Sequence, residues 1–475
     1  MSTAFFTRWR LVCLGLLLTL AACAGAPAAP TAAPAAAATA EPQVVVQTQV
    51  VVQTSEPVVV TAVPQPTADP TDPNAEITVW VDSTREGAVK LYKEKHPDVA
   101  AKINISVVDR GQFPAKVLLF NNSGGGWPDV VFAEPELVTQ VADASRNFPA
   151  DLMPFITTDI LSKFAPGAND PCMFDGKLFC MRNDLAHNVL WYNAPLMKEF
   201  GYTVPTTWEE YEALGEAVAK QHPGYVIGAF GDDQAMNVYF WASGCPVSHL
   251  TSATEVQINL SDPRCTRAVA MVDKLIGLGV LTKVGPFDPA FVKLANDNKL
   301  LMMPAASWYG EYVFGGKPDS AYYKEAKGQL GVALPPKWKD DPKPLTGAQG
   351  GAAWTMSRHT KNPKLAVDLI IWLTTSNDYQ GTAPTFPAYL PAADVWSKTV
   401  AANKVYAQDP FPILKEAASL VDGAWSNVRY SKGPVFNTVV IGGLTEDKTV
   451  ASSLEEFQKQ LTAEAEAQGY EVVNK

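Results

Sequence analysis

Three tryptophans stand among small residues in loop-like settings: Trp308 follows Ala305-Ala306-Ser307, Trp241 precedes Ala242-Ser243-Gly244, and Trp425 follows Asp422-Gly423-Ala424. A flat indole beside polar groups suits the apolar face of a sugar ring, whose rim of hydroxyls is met by Asp, Glu, Asn and Arg. In a parallel α/β sheet, ligands sit beyond the carboxyl ends of the strands, where loops converge and helix N-termini point. That rule nominates Asp82, Ser83 and Arg85 after the apolar run Ile77 to Val81, and Ala133, Glu134 and Glu136 after the run Asp129 to Phe132. The competing role for each polar residue is a helix cap or a surface charge, and for any one Trp it is core packing.

Bond-making chemistry has no comparable pattern. There is no HExxH, GxSxG, Walker loop or GxGxxG. The five histidines, His96, His187, His222, His249 and His359, are scattered without metal-ligand spacing, so neither metal nor cofactor is expected. Carboxylate pairs occur in any acidic chain, which leaves a secreted, tethered carbohydrate-active enzyme as the rival reading.

The cysteines divide by position. Arg8 and Arg10, the apolar run Leu11 to Leu20, and Ala21-Ala22 before Cys23 make residues 1–22 a secretory signal, too short in its apolar part to span a bilayer. The tetrad Leu20-Ala21-Ala22-Cys23 resembles the bacterial lipobox, which implies cleavage before Cys23 and a lipid anchor there. Removing Cys13 and assigning Cys23 to the lipid leaves 6 − 2 = 4 cysteines, an even count that on an exported chain implies two disulfides. Of three connectivities, the local one, Cys172 with Cys180 and Cys245 with Cys265, is the most economical. A three-residue hairpin loop at Asp175-Gly176-Lys177 would set the first pair directly opposite each other. Without the two signal arginines, 36 basic residues face 49 acidic ones, a charge of −13 that argues against nucleic acid.

These groups need elements to position them. Residues 23–75 are Ala, Pro, Thr and Val, with VVVQT at Val44 to Thr48 repeated at Val50 to Thr54, and read as a tether. The 400 residues after it exceed a single core, so at least two lobes are expected. A strand at Ile77 to Val81, a helix at Glu86 to Lys95, a strand at Ile103 to Val108, a helix at Phe113 to Asn122 and a strand at Asp129 to Phe132 imply right-handed crossovers and a parallel sheet. Later helices start at a capping box, Thr206-Thr207 with Glu209-Glu210; at Asn362-Pro363; and at Ser453, with Gly469 as the last one's stop. Short strands are expected at Leu300 to Met303, Leu330 to Leu334 and Ala352 to Met356.

The folded region resembles the extracellular solute-binding proteins of sugar ABC transporters, the group that includes maltose-binding protein. The likeness is carried by ITVWVDS at Ile77 to Ser83, GGGWPDVVFAEP at Gly124 to Pro135, NVLWYNAPLMKEFGYTVPTTWEEYEAL at Asn188 to Leu214, KLLMMPAASWY at Lys299 to Tyr309 and GGAAWTMSRHTKNPKLAVDLIIWL at Gly350 to Leu373. It implies an α/β, two-lobed periplasmic-binding-protein-like (type II) fold with discontinuous lobes and a hinge. One lobe would take residues 76–184 plus about 348–395, the other 185–347 plus about 396–475, with crossovers near Asp184 to Leu190 and Leu345 to Gly347.

By family position, Asp82, Ser83 and Arg85 look like first-lobe contacts, and Tyr239, Trp241 and Trp308 like second-lobe aromatics. Arg182 and Asp184 would face the cleft, with Gly351 beside them and Trp425 completing the set. Ala133 departs from the pattern, standing where maltose-binding protein has a stacking tryptophan. The implied protein is a non-catalytic, monomeric, extracytoplasmic receptor. It would pass a mono- or oligosaccharide to ABC transporter membrane subunits, with polyol phosphodiesters and polyamines as other ligands the fold accepts.

Overall fold

A computed structural model describes residues 71–143, 146–174, 176–423 and 428–473. The expected signal, Cys23, nearly all of the tether, and Trp425 lie outside the described residues.

The first lobe is built on a five-stranded sheet in the order Ile103–Val107, Ile77–Val81, Val130–Ala133, Ala353–Met356, Met181–Arg182. The first three strands are parallel, as the alternation of strands and helices requires, and the last two add antiparallel. Central Val130–Ala133 is buried along its whole length, whereas Ile77–Val81 alternates, burying Ile77, Val79 and Val81. The central strand begins one residue later than expected because Asp129 has another task. Its Oδ2 accepts the Thr78 N–H at 2.7 Å and its own N–H donates to the Thr78 carbonyl at 2.8 Å, locking the strand's entry. Helix Glu86–Lys95 covers the sheet through Ala88, Val89 and Tyr92.

In the second lobe, Asn188–Asn193 runs antiparallel between Met302–Ala306 and Leu330–Ala333. The two-residue period sends Val189, Trp191, Met303 and Ala305 into one apolar cluster and Leu190 and Met302 into another. Helix Trp208–Gln221 opens on the expected capping box: Thr207 Oγ1 accepts the Glu210 N–H at 3.1 Å, and Glu210 Oε2 accepts the Thr207 N–H at 3.3 Å. The last helix runs Val450–Ala467, one turn earlier than expected. Thr449 is its N-cap, bonded to the Ser452 N–H, and Ser453 is an interior residue.

Both expected disulfides are present. Cys172–Cys180 closes the hairpin Met173–Phe174/Lys177–Leu178, and Cys245–Cys265 ties the segment after Trp241–Ser243 to helix Pro263–Gly277. The hairpin pairs Phe174 with Lys177, one residue tighter than a three-residue loop. Phe179 therefore faces Cys172, its N–H donating to the Cys172 carbonyl at 2.9 Å, and Cys180 closes the bridge from one residue beyond.

The chain passes between the lobes three times. Asp184–Leu185 pairs antiparallel with Phe386–Pro387, and the Asn188 and Gln349 N–H groups donate to the carbonyls of Gly347 and Ala186. Phe386, Ala393, Trp396 and Val400 bury in a second-lobe cluster, while Leu390 still touches the first-lobe core. Residues 386–400 thus contribute to both clusters around the expected boundary of about 395.

Candidate functional site

A cavity of about 330 Å³ opens at the seam of the lobes. Its first-lobe wall is Glu134, Pro135 and Glu136, where the central strand gives way to helix Pro135–Gln140, together with the loop residues Pro166, Gly167, Ala168, Asp170 and Pro171. The hinge supplies Arg182, Leu185, Ala186, His187, Ala348 and Gly350. The second-lobe wall is Asp233, Met236, Asn237 and Trp241 on one side, and Ser419, Val421, Ser431 and Lys432 on the other.

Helical facing decides which aromatic reaches the cavity. Met236–Phe240 is a π-helix running into the 3₁₀ turn Trp241–Ser243, so Asn237 and Trp241 share the cavity face while Tyr239 turns away. Tyr239 was expected to contact ligand, but it is 2% exposed, packs against Trp208 and Phe230, and sets its hydroxyl 3.4 Å from that of Tyr211. Burial holds its phenol above the usual range. Trp241 lines the wall from within the core, its indole N–H donating to the Asp422 carbonyl at 3.0 Å. Gly347 permits this, since a Cβ there would fall 2.2 Å from the Asn237 carbonyl oxygen and 2.8 Å from the indole.

The floor is cationic. Arg182 is 6% exposed and donates through Nη2 to the Asp184 carbonyl at 3.1 Å. Burial lowers its pKa to about 10, against the pull of the Asp184 and Glu134 carboxylates, so it stays charged at neutral pH. Gly351 was expected to touch ligand; the structure uses it as the seat of this guanidinium. A Cβ at residue 351 would lie 2.2 Å from Arg182 Nη2, and the backbone there has φ +84°. Facing the floor, burial raises the Glu136 pKa, opposed by Lys432 and a hydrogen bond from Ser431, and Oε1 of Glu136 has no hydrogen-bond partner among the described residues. Burial likewise lowers the Lys432 pKa, opposed by Glu136.

Asp82, Arg85 and Asp184 join Arg110 and Glu134 in ion pairs. Arg110 bridges Asp82 (Nε–Oδ2 2.9 Å) and Glu134 (Nη1–Oε1 2.6 Å), and both Arg110 and Arg85 lie over the Phe132 ring, at 5.5 and 5.0 Å. Arg85 and Asp184 are buried and paired at 3.7 Å; Ser83 is exposed. Trp308 stands outside the cavity wall, half-buried, with its indole N–H bonded to the Gln349 carbonyl at 2.8 Å. It lies parallel to Phe287, which is 50% exposed, with Tyr312 edge-on.

Of the nominated residues, the structure brings Glu134, Glu136, Arg182 and Trp241 to the cavity. The sequence reading missed Asp233, Asn237, His187, Ser431, Lys432 and Arg110. The strand-end rule that found Glu134 also reaches Asp233, which follows the two-residue strand Gly228–Ala229; so short a strand carries no periodicity to betray it. Among the described residues no group of His, Cys, Asp or Glu is arranged to hold a metal.

Residues 87–411 match the profile of a family described as bacterial extracellular solute-binding protein. The chain belongs to this family. Its curated relatives include a probable ABC transporter-binding protein of Deinococcus radiodurans, 24% identical over 352 residues (70% of this chain, 78% of that one). An arabinooligosaccharide-binding protein of Halalkalibacterium halodurans is 20% identical over 327 residues (66% and 70%). Among solved structures, the ABC transporter associated binding protein from B. animalis subsp. lactis Bl-04 in complex with beta-1,6-galactobiose superposes with a TM-score of 0.67 at 18% identity, over 84% of this solute-binding protein and 99% of the other. The shared fold is the two-lobed type II arrangement, and the cavity lies at the seam of the two lobes.

Proposed function

We propose that this solute-binding protein captures a mono- or oligosaccharide in the seam cavity and delivers it unaltered to the membrane subunits of an ABC transporter. It acts as a monomer on the extracytoplasmic side, held to the membrane by a lipid on Cys23. The observation that carries this reading is the cavity's composition: the Trp241 indole and Pro135, Pro171 and Met236 give apolar surface, while Glu134, Glu136, Asp233, Arg182 and Lys432 surround it with acceptors and donors. A sugar needs both kinds of surface at once. The names of the relatives support the choice, since several bind arabino-, malto- or galacto-oligosaccharides.

The test is a thermal-shift panel of arabino-oligosaccharides, β-1,6-galactobiose and maltodextrins beside spermidine and glycerophosphodiesters, followed by calorimetry and by chromatography of the incubated sugar. A sugar at 100 times its Kd raises stability by about 2.7 kcal/mol through mass action. The expected result is a rise with at least one carbohydrate, which is recovered intact. A rise with spermidine or a phosphodiester alone would replace the sugar, and cleaved product would make the protein an enzyme.

A further inference from the structure

At one edge of the cleft the lobes meet through a contact separate from the hinge. Phe174 sits in the hairpin closed by Cys172–Cys180 and packs on the first-lobe core. Arg429 belongs to the other lobe: its backbone N–H and its Nε both donate to the Tyr470 hydroxyl, each at 3.2 Å, and Tyr470 is buried in the second-lobe core. The guanidinium carbon lies 4.6 Å from the centroid of the Tyr470 ring and 5.3 Å from that of Phe174. One cation is thus held between an aromatic ring of each lobe, an attraction that strengthens as water is excluded.

The contact is coupled to the cavity by chain continuity. Ser431 and Lys432, two and three residues beyond Arg429, line the cavity opposite Glu136. The first-lobe side depends on the disulfide, because strands of two residues, Met173–Phe174 and Lys177–Leu178, are too short to hold a hairpin's shape alone.

We infer that Arg429 is a positioning residue for ligand capture. It clamps the lobes together on the stapled hairpin and thereby holds Ser431 and Lys432 over the bound molecule, an inference that rests on the carbohydrate reading of the cavity. Affinity is then tied to the Cys172–Cys180 bridge and not to Cys245–Cys265, which lies wholly within the second lobe.

The experiment compares the mature wild-type chain with Phe174→Ala, Arg429→Lys, the Cys172→Ser/Cys180→Ser double variant and, as control, Cys245→Ser/Cys265→Ser. Each is first shown to be folded by a cooperative thermal transition. Small-angle scattering without ligand reports how open the lobes are, and titration with arabinotriose, β-1,6-galactobiose and maltotriose reports affinity and dissociation rate. Phe174→Ala and the 172/180 variant are expected to enlarge the ligand-free radius of gyration and to weaken binding about two- to tenfold through faster dissociation. Arg429→Lys keeps the charge but not the flat stacking surface, and falls between. Unchanged scattering and dissociation in Phe174→Ala and the 172/180 variant would overturn the clamp, as would equal weakening in the control pair. Should no carbohydrate bind, the proposed ligand fails while the scattering still decides the clamp.

Discussion

His187 sits in the cavity wall with only 1% of its surface exposed, and burial pushes its pKa down to about 3. In the unfolded chain an imidazole titrates near 6.5, so between about pH 3 and 6.5 the unfolded state binds the extra proton and stability falls as the pH falls. Asp232 works the other way. Burial and the neighbouring Asp233 push it up to about 6, so the folded state holds its proton between roughly pH 4 and 6 and this contribution to stability is lost as the pH rises. The two effects oppose one another below pH 6, and above it the Asp232 contribution fades as its carboxyl finishes ionising near pH 7, so the His187 slope prevails between pH 6 and 7. Chemical denaturation of wild type and His187→Gln between pH 6 and 7 checks this: wild type should become more stable as the pH rises, and the variant should lose that slope.

Trp308 is the other residue whose role one substitution can decide. It is half-buried and parallel to exposed Phe287, and the stacking role expected for it from the sequence is a proposal that Trp308→Ala tests. Stacking is worth about 1 to 2 kcal/mol, so Trp308→Ala should weaken an oligosaccharide about tenfold with a modest change in melting temperature. A core tryptophan would instead cost about 3 to 5 kcal/mol of stability and leave the affinity of the folded fraction intact. Calorimetric titration and unfolding of the same variant separate the two. Residue identity alone could not place such groups: Tyr239 and Trp241 are both aromatic and both buried in the same cluster, and only the one on the face shared with Asn237 borders the cavity.

At the scale of elements, what was legible in the sequence is what periodicity and caps encode. Helices Glu86–Lys95 and Trp208–Gln221 fall where spacing and the Thr207–Glu210 box put them, and the parallel strands follow from their alternation with helices. The misplacements come from competing hydrogen bonds: Asp129 bonds across to Thr78, and Thr449 outcompetes Ser453 as a cap because its side chain reaches a free N–H at the first turn. Short loops and two-residue strands carry half of the cavity wall and have no period to read. The Gly350-Gly351 turn is sensitive to change at its second residue. Gly351→Ala forces a left-handed backbone on a residue with a Cβ and drives that Cβ into the Arg182 guanidinium. The expected outcome is about 1 to 2 kcal/mol of lost stability from the backbone alone. Sugar affinity should drop as well, because Arg182 must leave its seat. Denaturant titration and calorimetry check both, and unchanged affinity would remove Arg182 from the site.

For the whole molecule, the proposed arrangement is a two-lobed receptor on a long leash. In that proposal residues 24–70, rich in Pro and Ala, would join the Cys23 lipid to the first described residue and leave the cleft unconstrained. Cys23→Ser should therefore release the protein into the soluble fraction with its sugar affinity unchanged, as fractionation and titration would report; retention in the membrane fraction would mean that something else anchors it.

The three passages between the lobes bear on the order in which the molecule can be assembled. Strand Ala353–Met356 is inserted between Val130–Ala133 and Met181–Arg182, so the first sheet has a gap in its middle until residue 356 of 475 has been made. Until then Val130–Ala133 has one bare edge and Met181–Arg182 has no neighbour in the sheet, and pairings so distant in sequence form slowly. The first sheet therefore cannot close before strand Ala353–Met356 is made, whereas the sheet of Asn188–Asn193, Met302–Ala306 and Leu330–Ala333 has all its strands earlier.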